Sequence, residues 1–174
     1  TDQTETVELI LYLLKKRIPS SFKMDPLTDV QVLVPTNKGM CGVLNLNTRI
    51  QEAVNPGSGG LINGSRIFRK GDRVIQLKNN YEKEIFNGDI GIIKNIDMEL
   101  KEIGVDFDGK SVKYSFYEAD EINHSYAISI HKSQGSEFRC VVVPILTSHY
   151  MLLQRNLLYT ALTRARELAI LIGS

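Results

Sequence analysis

The amino-acid sequence predicts an α/β fold in which a lobe built on a parallel sheet is interrupted by a small antiparallel β-barrel. Two continuous apolar runs, residues 140–145 and 168–172, are typical of parallel strands covered on both faces. Between residues 66 and 121 the pattern changes to short alternating runs separated by turn pairs, which favours antiparallel strands. The first pattern returns after residue 122, so we expect the β-rich block to be an insertion.

The N-terminal part predicts two helices with one strand between them. Residues 7–16 carry apolar side chains at helical spacing, and Pro19 lies just beyond their basic end, where it predicts the end of the helix. Residues 30–35 are a short β-branched run that a proline ends. Residues 39–54 then predict a second helix, closed by Pro56.

Turn pairs organise the β-rich block. They are Lys70-Gly71, Asn87-Gly88 and Asp108-Gly109. The last two favour tight hairpins, because Asn, Asp and Gly tolerate the positive φ that type I′ turns demand. The glycine-rich stretch 57–60 precedes this block and has no Lys-Ser or Lys-Thr after it, so we interpret it as a linker.

The last predicted helix covers residues 151–166, between the two apolar strands. At 100° per residue, Arg164 falls within about 20° of Leu153 and within about 20° of Leu157. Arg166 points to the polar side of the same helix. Arg164 should therefore project near the apolar stripe, where it either lays its stem along the core or directs its guanidinium across a lobe interface at a phosphate.

A polar segment, residues 126–138, runs from an alternating strand into small and hydroxyl side chains. A strand-to-helix junction of this kind presents free backbone N–H groups, which suit phosphate. An ordinary turn explains the pattern at least as well when the segment is taken alone.

Composition limits the classes of function. The chain has 21 Lys and Arg against 20 Asp and Glu, which argues against a dedicated basic nucleic-acid binder but allows half of a binding channel. Cys41 and Cys140 form no CxxC pair and the three histidines do not cluster, so we expect no metal site and a reducing cytoplasm. The sequence has no long apolar run and no signal peptide, so we expect no membrane partner. It opens without Met and stops directly after a predicted strand, which indicates an excised fragment.

Four segments together resemble superfamily 1 DNA helicases of the RecD/TraA family, the family of the exodeoxyribonuclease V alpha subunit. Residues 127–138 (AISIHKSQGSEF) resemble its motif V, and residues 158–166 (LYTALTRAR) resemble its motif VI. Residues 32–39 resemble the start of the second motor lobe, and residues 68–91 resemble the SH3-like insertion of this branch. The resemblance covers residues 30–173 in the expected order.

This resemblance implies the C-terminal part of an ATP-dependent DNA helicase that moves 5′ to 3′. Residues 1–65 and 122–174 would form a RecA-like lobe, of the P-loop NTPase type but without the P-loop. Residues 66–121 would form an inserted SH3-like barrel. Such a protein would act in DNA repair or recombination.

The resemblance also assigns the site residues. Arg164 would be the catalytic arginine finger, which stabilises charge as the γ-phosphate leaves. Lys38 and Tyr81 are weaker candidates for contact with DNA, because a solvated lysine and a packed tyrosine explain them equally well. The expected nucleotide-binding residues are Gln134, Gly135, Glu137 and Arg164. The expected residues that contact single-stranded DNA are Thr36, Asn37, His131, Lys132 and Ser133.

Two absences limit what this chain does alone. It has no GxxxxGK[ST] phosphate loop, and no strand ends in an Asp-Glu pair suited to Mg²⁺. We therefore expect ATP and Mg²⁺ to be cofactors of the full-length protein, with none bound and no ATP turned over by this chain alone. The implied partners are single-stranded DNA, the N-terminal ATP-binding lobe of the same chain, and subunits that act in recombination or repair.

Two other hypotheses remain open at this point. The first is the helicase part of a conjugative relaxase, which shares these motifs and would carry a tyrosine nucleophile and a histidine cluster upstream. The second is a non-enzymatic module that binds a protein or nucleic acid through the barrel, although such a module gives no reason for an intact motif VI.

Overall fold

The computed structural model describes residues 2–149, 151 and 154–173. The chain divides into two compact units, one formed by Thr1–Val54 and Tyr126–Ser174 and the other by Asn55–Ser125. The helices are α1 (Gln3–Tyr12), α2 (Ile18–Phe22), α3 (Val43–Val54) and α4 (Arg155–Leu162). The strands are β1 (Val30–Val34), β2 (Leu61–Asn63), β3 (Arg66–Phe68), β4 (Arg73–Gln76), β5 (Ile90–Asp97), β6 (Glu102–Phe107), β7 (Lys110–Ser115), β8 (Ile122–His124), β9 (Ala127–Ser129), β10 (Phe138–Ile145) and β11 (Ala165–Gly173).

The first unit is built on a parallel sheet with the strand order β11-β10-β1-β9. All five residues of β1 are buried, as expected for an apolar strand with neighbours on both sides. The helices α1, α2 and α3 contribute Val7, Ile10, Ile18, Leu46 and Ile50 to the core against this sheet. The predicted α/β class with a parallel sheet is confirmed.

The side chain of Asn47 joins α3 to the start of β9. Its Nδ2 donates to the carbonyl oxygen of Ala127 at 2.9 Å, and its Oδ1 accepts from the N–H of Ala127 at 2.9 Å. Both polar atoms of a buried amide are thus satisfied, as burial requires. This pairing fixes the point at which the chain re-enters the first unit.

The predicted end of the first helix at Pro19 is wrong. The chain passes from α1 through a π-helical turn at Leu13–Arg17 into α2, with Pro19 in the first turn of α2. Arg17 and Ile18 before it are both helical, so Pro19 lies inside a continuous helical segment, and the π-helical turn marks where that segment departs from regular α-helical hydrogen bonding. The segment ends instead after Phe22, where Lys23 adopts the left-handed conformation with φ 54°.

The predicted extent of the last helix is also wrong. The helix α4 ends at Leu162, and the hydroxyl of Thr163 donates back to the carbonyl of Tyr159 at 2.9 Å. The strand β11 begins at Ala165, which pairs with Phe138. Arg164 and Arg166 therefore both lie beyond the helix, and the helical-wheel positions predicted for their side chains do not apply. Leu153, the third member of that stripe, lies outside the described residues.

The strand β11 differs from its prediction in a second respect. It is the edge strand of the sheet, and Leu171 on it is 47% exposed. The described residues therefore do not cover its apolar run on both faces.

The second unit is antiparallel throughout, as predicted. Five strands pair in the order β7-β6-β5-β4-β8, and β2 pairs separately with β3. The unit begins at Asn55 and ends at Ser125, whereas the predicted insertion covers residues 66–121. The difference arises because β2 and β8, which lie outside the predicted bounds, pair with β3 and β4.

The two predicted hairpin turns have different outcomes. Asp108-Gly109 joins β6 to β7 with φ values of 52° and 90°, which confirms a two-residue turn of type I′. At Asn87-Gly88 only the glycine has a positive φ, 99°, and the carbonyl of Phe86 accepts from the N–H of Asp89 at 3.0 Å. The type I′ prediction is wrong there, because that turn requires positive φ at both residues.

Candidate functional site

The loops that follow β1 and β9 leave the parallel sheet at the same edge. These strands are neighbours, and Val34 at the end of β1 lies beside Ser129 at the end of β9. The pairing extends one residue further, because the N–H of Ile130 donates to the carbonyl of Val34 at 3.0 Å. The sheet topology therefore brings the loop with Thr36 and Asn37 to the edge that also carries the turn after β9.

The loop after β1 is held by backbone hydrogen bonds to the start of α3. The carbonyl of Thr36 accepts from the N–H of Val43 at 3.1 Å, and the carbonyl of Asn37 accepts from the N–H of Leu44 at 3.2 Å. The hydroxyl of Thr36 also accepts from the N–H of Lys38 at 3.3 Å. Asn37 and Lys38 are exposed and Thr36 is half-buried, so all three can be reached from solvent.

The turn after β9 is a short 3₁₀ helix, His131–Ser133. His131 is exposed and Lys132 is half-buried, with the N–H of Lys132 donating to Ser129 Oγ at 3.2 Å. Ser133 differs from the expectation of a DNA-facing hydroxyl. Its side chain is fully buried, and its Oγ donates to the carbonyl of Ile130 at 2.6 Å, so the hydroxyl holds the turn closed.

The residues predicted to meet the nucleotide follow directly. Gln134, Gly135 and Glu137 are all exposed. Gly135 has φ 83°, in the left-handed region that favours glycine, and lets the chain reverse before β10. A cavity of about 340 Å³ lies between this loop and the start of α4, and its lining includes His131, Gln134, Gln154, Asn156 and Thr160.

Arg164 contacts this same loop. Its Nη1 donates to the carbonyl of Ser136 at 3.2 Å, and its own carbonyl accepts from the N–H of Phe138 at 2.8 Å. Its Nη2 lies 3.4 Å from Thr163 Oγ1. The buried Nε has no hydrogen-bond partner among the described residues. Arg164 is thus positioned from the strand pairing after α4, and part of its donor capacity is unused.

Arg166 lies elsewhere, exposed on β11. The neighbouring Glu167 accepts hydrogen bonds from Arg139 at 2.8 and 3.0 Å, and Arg139 also pairs with Asp29 at 3.2 Å. The hydrogen bond from Arg139 lowers the pKa of the Glu167 carboxyl. This ion-pair network joins the starts of β10 and β11 and belongs to the surface of the sheet.

The described residues support neither a metal site nor a reactive thiol. No group of three or more His, Cys, Asp or Glu residues within them is placed to hold a metal ion. Burial raises the pKa of the Cys140 thiol to about 11, and burial followed by the charge of Asp2 raises the pKa of Cys41. Both thiols are therefore protonated near neutral pH.

Within the described residues, no helix is long and apolar enough to cross a membrane.

His149 is a candidate that sequence reasoning missed. It is nearly fully buried in the turn Thr147–His149 after β10, and its Nδ1 has no partner among the described residues. No sequence pattern signals it, because its surroundings arise only when β1 and β10 become neighbours.

Comparison with known proteins decides the family. The "ATP-dependent RecD-like DNA helicase SH3 domain" family matches residues 46–107, and the "UvrD-like helicase C-terminal domain" family matches residues 124–172. The ATP-dependent RecD2 DNA helicase of Deinococcus radiodurans is 42% identical over 145 residues, which are 83% of this chain and 20% of that protein. The chain belongs to the RecD/TraA family of superfamily 1 DNA helicases.

A further relative agrees with this assignment, and a solved structure agrees with the fold. The conjugal transfer protein TraA of Agrobacterium fabrum is 35% identical over 108 residues, 60% of this chain and 9% of that protein. The Pif1 helicase of Bacteroides, in complex with ADP-AlF3 and single-stranded DNA, superposes with a TM-score of 0.60. That match covers 98% of this chain and 45% of the Pif1 chain at 20% identity, and it shows the RecA-like fold of the lobe. The SH3-like insertion is shown by the family match at residues 46–107. The chain spans about a fifth of the RecD2 helicase that it matches.

Proposed function

We propose that this chain is the second motor lobe of a longer ATP-dependent DNA helicase, in which it binds single-stranded DNA and contributes an arginine finger to ATP hydrolysis. The contact between the Arg164 guanidinium and the carbonyl of Ser136 carries this proposal. It joins the arginine of motif VI to the loop of motif V, two segments that are 28 positions apart in the sequence.

The nucleotide side of the proposal rests on Arg164 and the exposed loop beside it. The Arg164 guanidinium donates one N–H to a backbone carbonyl, which fixes its direction. Its other N–H groups remain available to a ligand. Gln134, Gly135 and Glu137 are exposed on the same loop and can contact a nucleotide. ATP would be held mainly by an N-terminal lobe, which would also supply the carboxylates for Mg²⁺.

In the proposed reaction, Arg164 stabilises the negative charge that develops as the terminal phosphate of ATP leaves. Such stabilisation acts on the transition state, so the residue should contribute far more to the rate of hydrolysis than to the affinity for ATP. Glu137 would contact the ribose of the same nucleotide.

The DNA side of the proposal rests on the sheet edge where the loops after β1 and β9 meet. Thr36, Asn37, His131 and Lys132 offer a hydroxyl, an amide, an imidazole and an ammonium group to the backbone of a strand. Contacts of these kinds to phosphate and sugar carry no base specificity. We propose that Ser133 supports this face indirectly by closing the turn that presents His131 and Lys132.

The direction of movement, 5′ to 3′, follows from the RecD/TraA resemblance and is part of the proposal. A relaxase-linked helicase is less favoured, because TraA matches 60% of this chain whereas the RecD2 helicase matches 83%. A binding module without enzymatic activity does not account for the placement of Arg164 beside the motif V loop.

The test is unwinding by the full-length protein that carries this chain, with duplexes that have either a 5′ or a 3′ single-stranded tail. We expect ATP hydrolysis stimulated by single-stranded DNA, and strand separation only from the 5′ tail. Separation only from the 3′ tail would reverse the proposed direction, and hydrolysis without separation of either duplex would rule out a helicase. This chain alone should show no multiple-turnover hydrolysis, with or without DNA, because it lacks the phosphate loop.

A further inference from the structure

A cavity of about 200 Å³ opens at the C-terminal edge of the parallel sheet, in the unit that carries the proposed DNA face. One wall is the loop after β1, with Thr36 and Lys38. The opposite wall is the turn after β10, with Ser148 and His149, and the start of α1 adds Gln3. Because β1 and β10 are parallel neighbours, the sheet topology brings both walls to the same edge.

His149 has an unusual environment in this cavity. Its side chain is 6% exposed, and its Nδ1 has no hydrogen-bond partner within the part of the chain that the structure describes. Burial lowers the pKa of the imidazole, so the ring is neutral near pH 7. Buried polar atoms in folded proteins are almost always hydrogen-bonded, since burial removes their hydration. A polar atom of a ligand in the cavity would supply the missing partner.

The other polar groups of the lining include several hydrogen-bond donors. Ser148 carries a hydroxyl that accepts from Gln3 Nε2 at 3.5 Å, whereas the Thr36 hydroxyl already donates to the carbonyl of Lys38 at 3.4 Å. Lys38 carries an ammonium group, and no carboxylate of a described residue lies within ion-pair distance of it. Such a set suits an oxyanion.

A metal cation does not suit this lining. None of the described lining residues is Asp or Glu. The other candidate ligands are His149, Met40 and Cys41, and the pKa of the Cys41 thiol is raised by burial and then by Asp2, which leaves one imidazole beside a weak thioether. A protonated thiol is a poor metal ligand.

We propose that this cavity holds one phosphodiester group of the bound single strand, with His149 as a buried hydrogen-bond donor and Lys38 as the cation. A neutral imidazole can carry its proton on Nδ1 and donate it to a phosphate oxygen. The inference rests on the proposed DNA face and extends that face from the loops after β1 and β9 to the turn after β10.

Affinity for a fluorescein-labelled oligothymidylate, measured by anisotropy on the full-length protein, tests the role of His149. His149→Leu removes both ring nitrogens but keeps an apolar side chain in the core, and it should weaken binding about tenfold, since hydrogen bonds to charged groups are the strong ones. His149→Asn places an amide N–H near the position of Nδ1 and should recover most of the affinity. The matched control is Thr147→Ala, an exposed position on the same turn outside the cavity lining, which should bind as the wild type does.

Lys38→Gln tests the same cavity without altering a buried residue. Loss of one phosphate contact should lower the dependence of log affinity on log salt by about one. Inorganic phosphate then separates the sources of the ligand group. If phosphate alone shifts the His149 imidazole resonances, the cavity recognises phosphate generally, and a shift seen only with oligothymidylate means that it recognises the strand.

Three outcomes would overturn the inference. They are a His149→Leu variant with wild-type melting and wild-type affinity, an unchanged salt dependence in Lys38→Gln, or no shift of His149 with either ligand. Each differs from failure of the proposed function, in which the wild-type protein itself would not bind oligothymidylate.

Discussion

Arg164 Nη1 lies 3.2 Å from the carbonyl oxygen of Ser136, so the arginine that follows α4 is tied directly to the loop that follows β9. The strand pairing between Phe138 and Ala165 sets this approach, because it fixes the backbone immediately beside both partners. A displacement of either loop should therefore displace the other.

Arg164→Ala in the full-length protein should abolish ATP hydrolysis and unwinding while it leaves most of the ATP affinity intact. An arginine finger acts on transition-state charge and contributes roughly 10³–10⁵ in rate in other nucleotide hydrolases. Arg164→Lys should recover little, since an ammonium cannot hold the carbonyl of Ser136 and a phosphate in the same fork geometry. Single-turnover hydrolysis with saturating single-stranded DNA measures the effect, and a thermal melt controls for folding.

Arg166→Ala is the matched control for that experiment. Arg166 is exposed on the edge strand β11, away from the loop that Arg164 contacts, and its loss should change the hydrolysis rate little. If Arg166→Ala abolishes ATP hydrolysis while Arg164→Ala hydrolyses ATP normally, Arg166 and not Arg164 is the arginine finger.

His131→Ala and Lys132→Ala should weaken binding of single-stranded DNA more than binding of ATP. Both residues lie in the turn after β9, at the sheet edge that also carries the loop after β1, and both belong to the proposed DNA face. Lys132→Ala should also reduce the salt dependence of binding by about one, if it contacts one phosphate. Oligothymidylate anisotropy and titration with a fluorescent ATP analogue give the two affinities.

Ser133→Ala separates a direct contact from a supporting one in the same turn. Its hydroxyl donates to the carbonyl of Ile130, so the substitution should lower the free energy of unfolding by about 1 kcal/mol. A large loss of DNA affinity in His131→Ala, with a smaller one in Ser133→Ala, fits the proposal. Impaired ATP binding with unchanged DNA affinity would place this turn on the nucleotide side.

Glu121→Gln should reduce the acid sensitivity of the second unit. The Glu121 carboxylate accepts hydrogen bonds from Gln76 and Asn80 at 3.0 and 3.1 Å and pairs with Lys78. Burial opposes the charged form, but these partners outweigh it and lower the pKa of Glu121 below 4.5. A lowered folded-state pKa gives stability that is present above the unfolded pKa and is lost as pH falls through the folded one.

The substitution should therefore lower the free energy of unfolding at pH 7 by about 1–2 kcal/mol, and stability should then fall less steeply between about pH 5 and 3. Urea unfolding at several pH values gives both quantities. Glu99→Gln, at an exposed carboxylate in the turn between β5 and β6, is the matched control and should leave the curve near that of the wild type. Identical acid slopes for Glu121→Gln and the wild type would contradict the assigned role of this carboxylate.

The parallel sheet and the antiparallel block could be predicted because each has its own period of apolar residues. The run in β10 has no alternation, since both of its faces are buried, whereas Asp108-Gly109 marks a turn that only a few residue pairs can form. The limits of the helices could not be predicted in the same way. Proline usually marks the end of a helix, but here the helical segment continues past Pro19 to Phe22, and the π-helical turn before it leaves no sequence signal.

The candidate site could also be predicted only in part. Sequence resemblance selected Arg164 and the loop at Gln134–Glu137, but it gave no indication that Ser133 is buried. Helical periodicity continued through Thr163 to Arg166, because it takes no account of the pairing that begins at Ala165. Burial of a hydroxyl and the end of a helix are both decided by long-range contacts, which a local pattern does not contain.

The parallel pairing of β1 also determines when the first unit can fold during synthesis. Val30 pairs with Cys140, 110 positions later, and the whole second unit lies between them. The ribosome therefore releases β1 long before its partners, while most of the antiparallel strands of the second unit pair with sequence neighbours and can form early. Until β9 and β10 emerge, the five apolar and amide side chains of β1 lack the strands that flank them in the folded sheet, and this stretch of the nascent chain is exposed to aggregation or to capture by a chaperone.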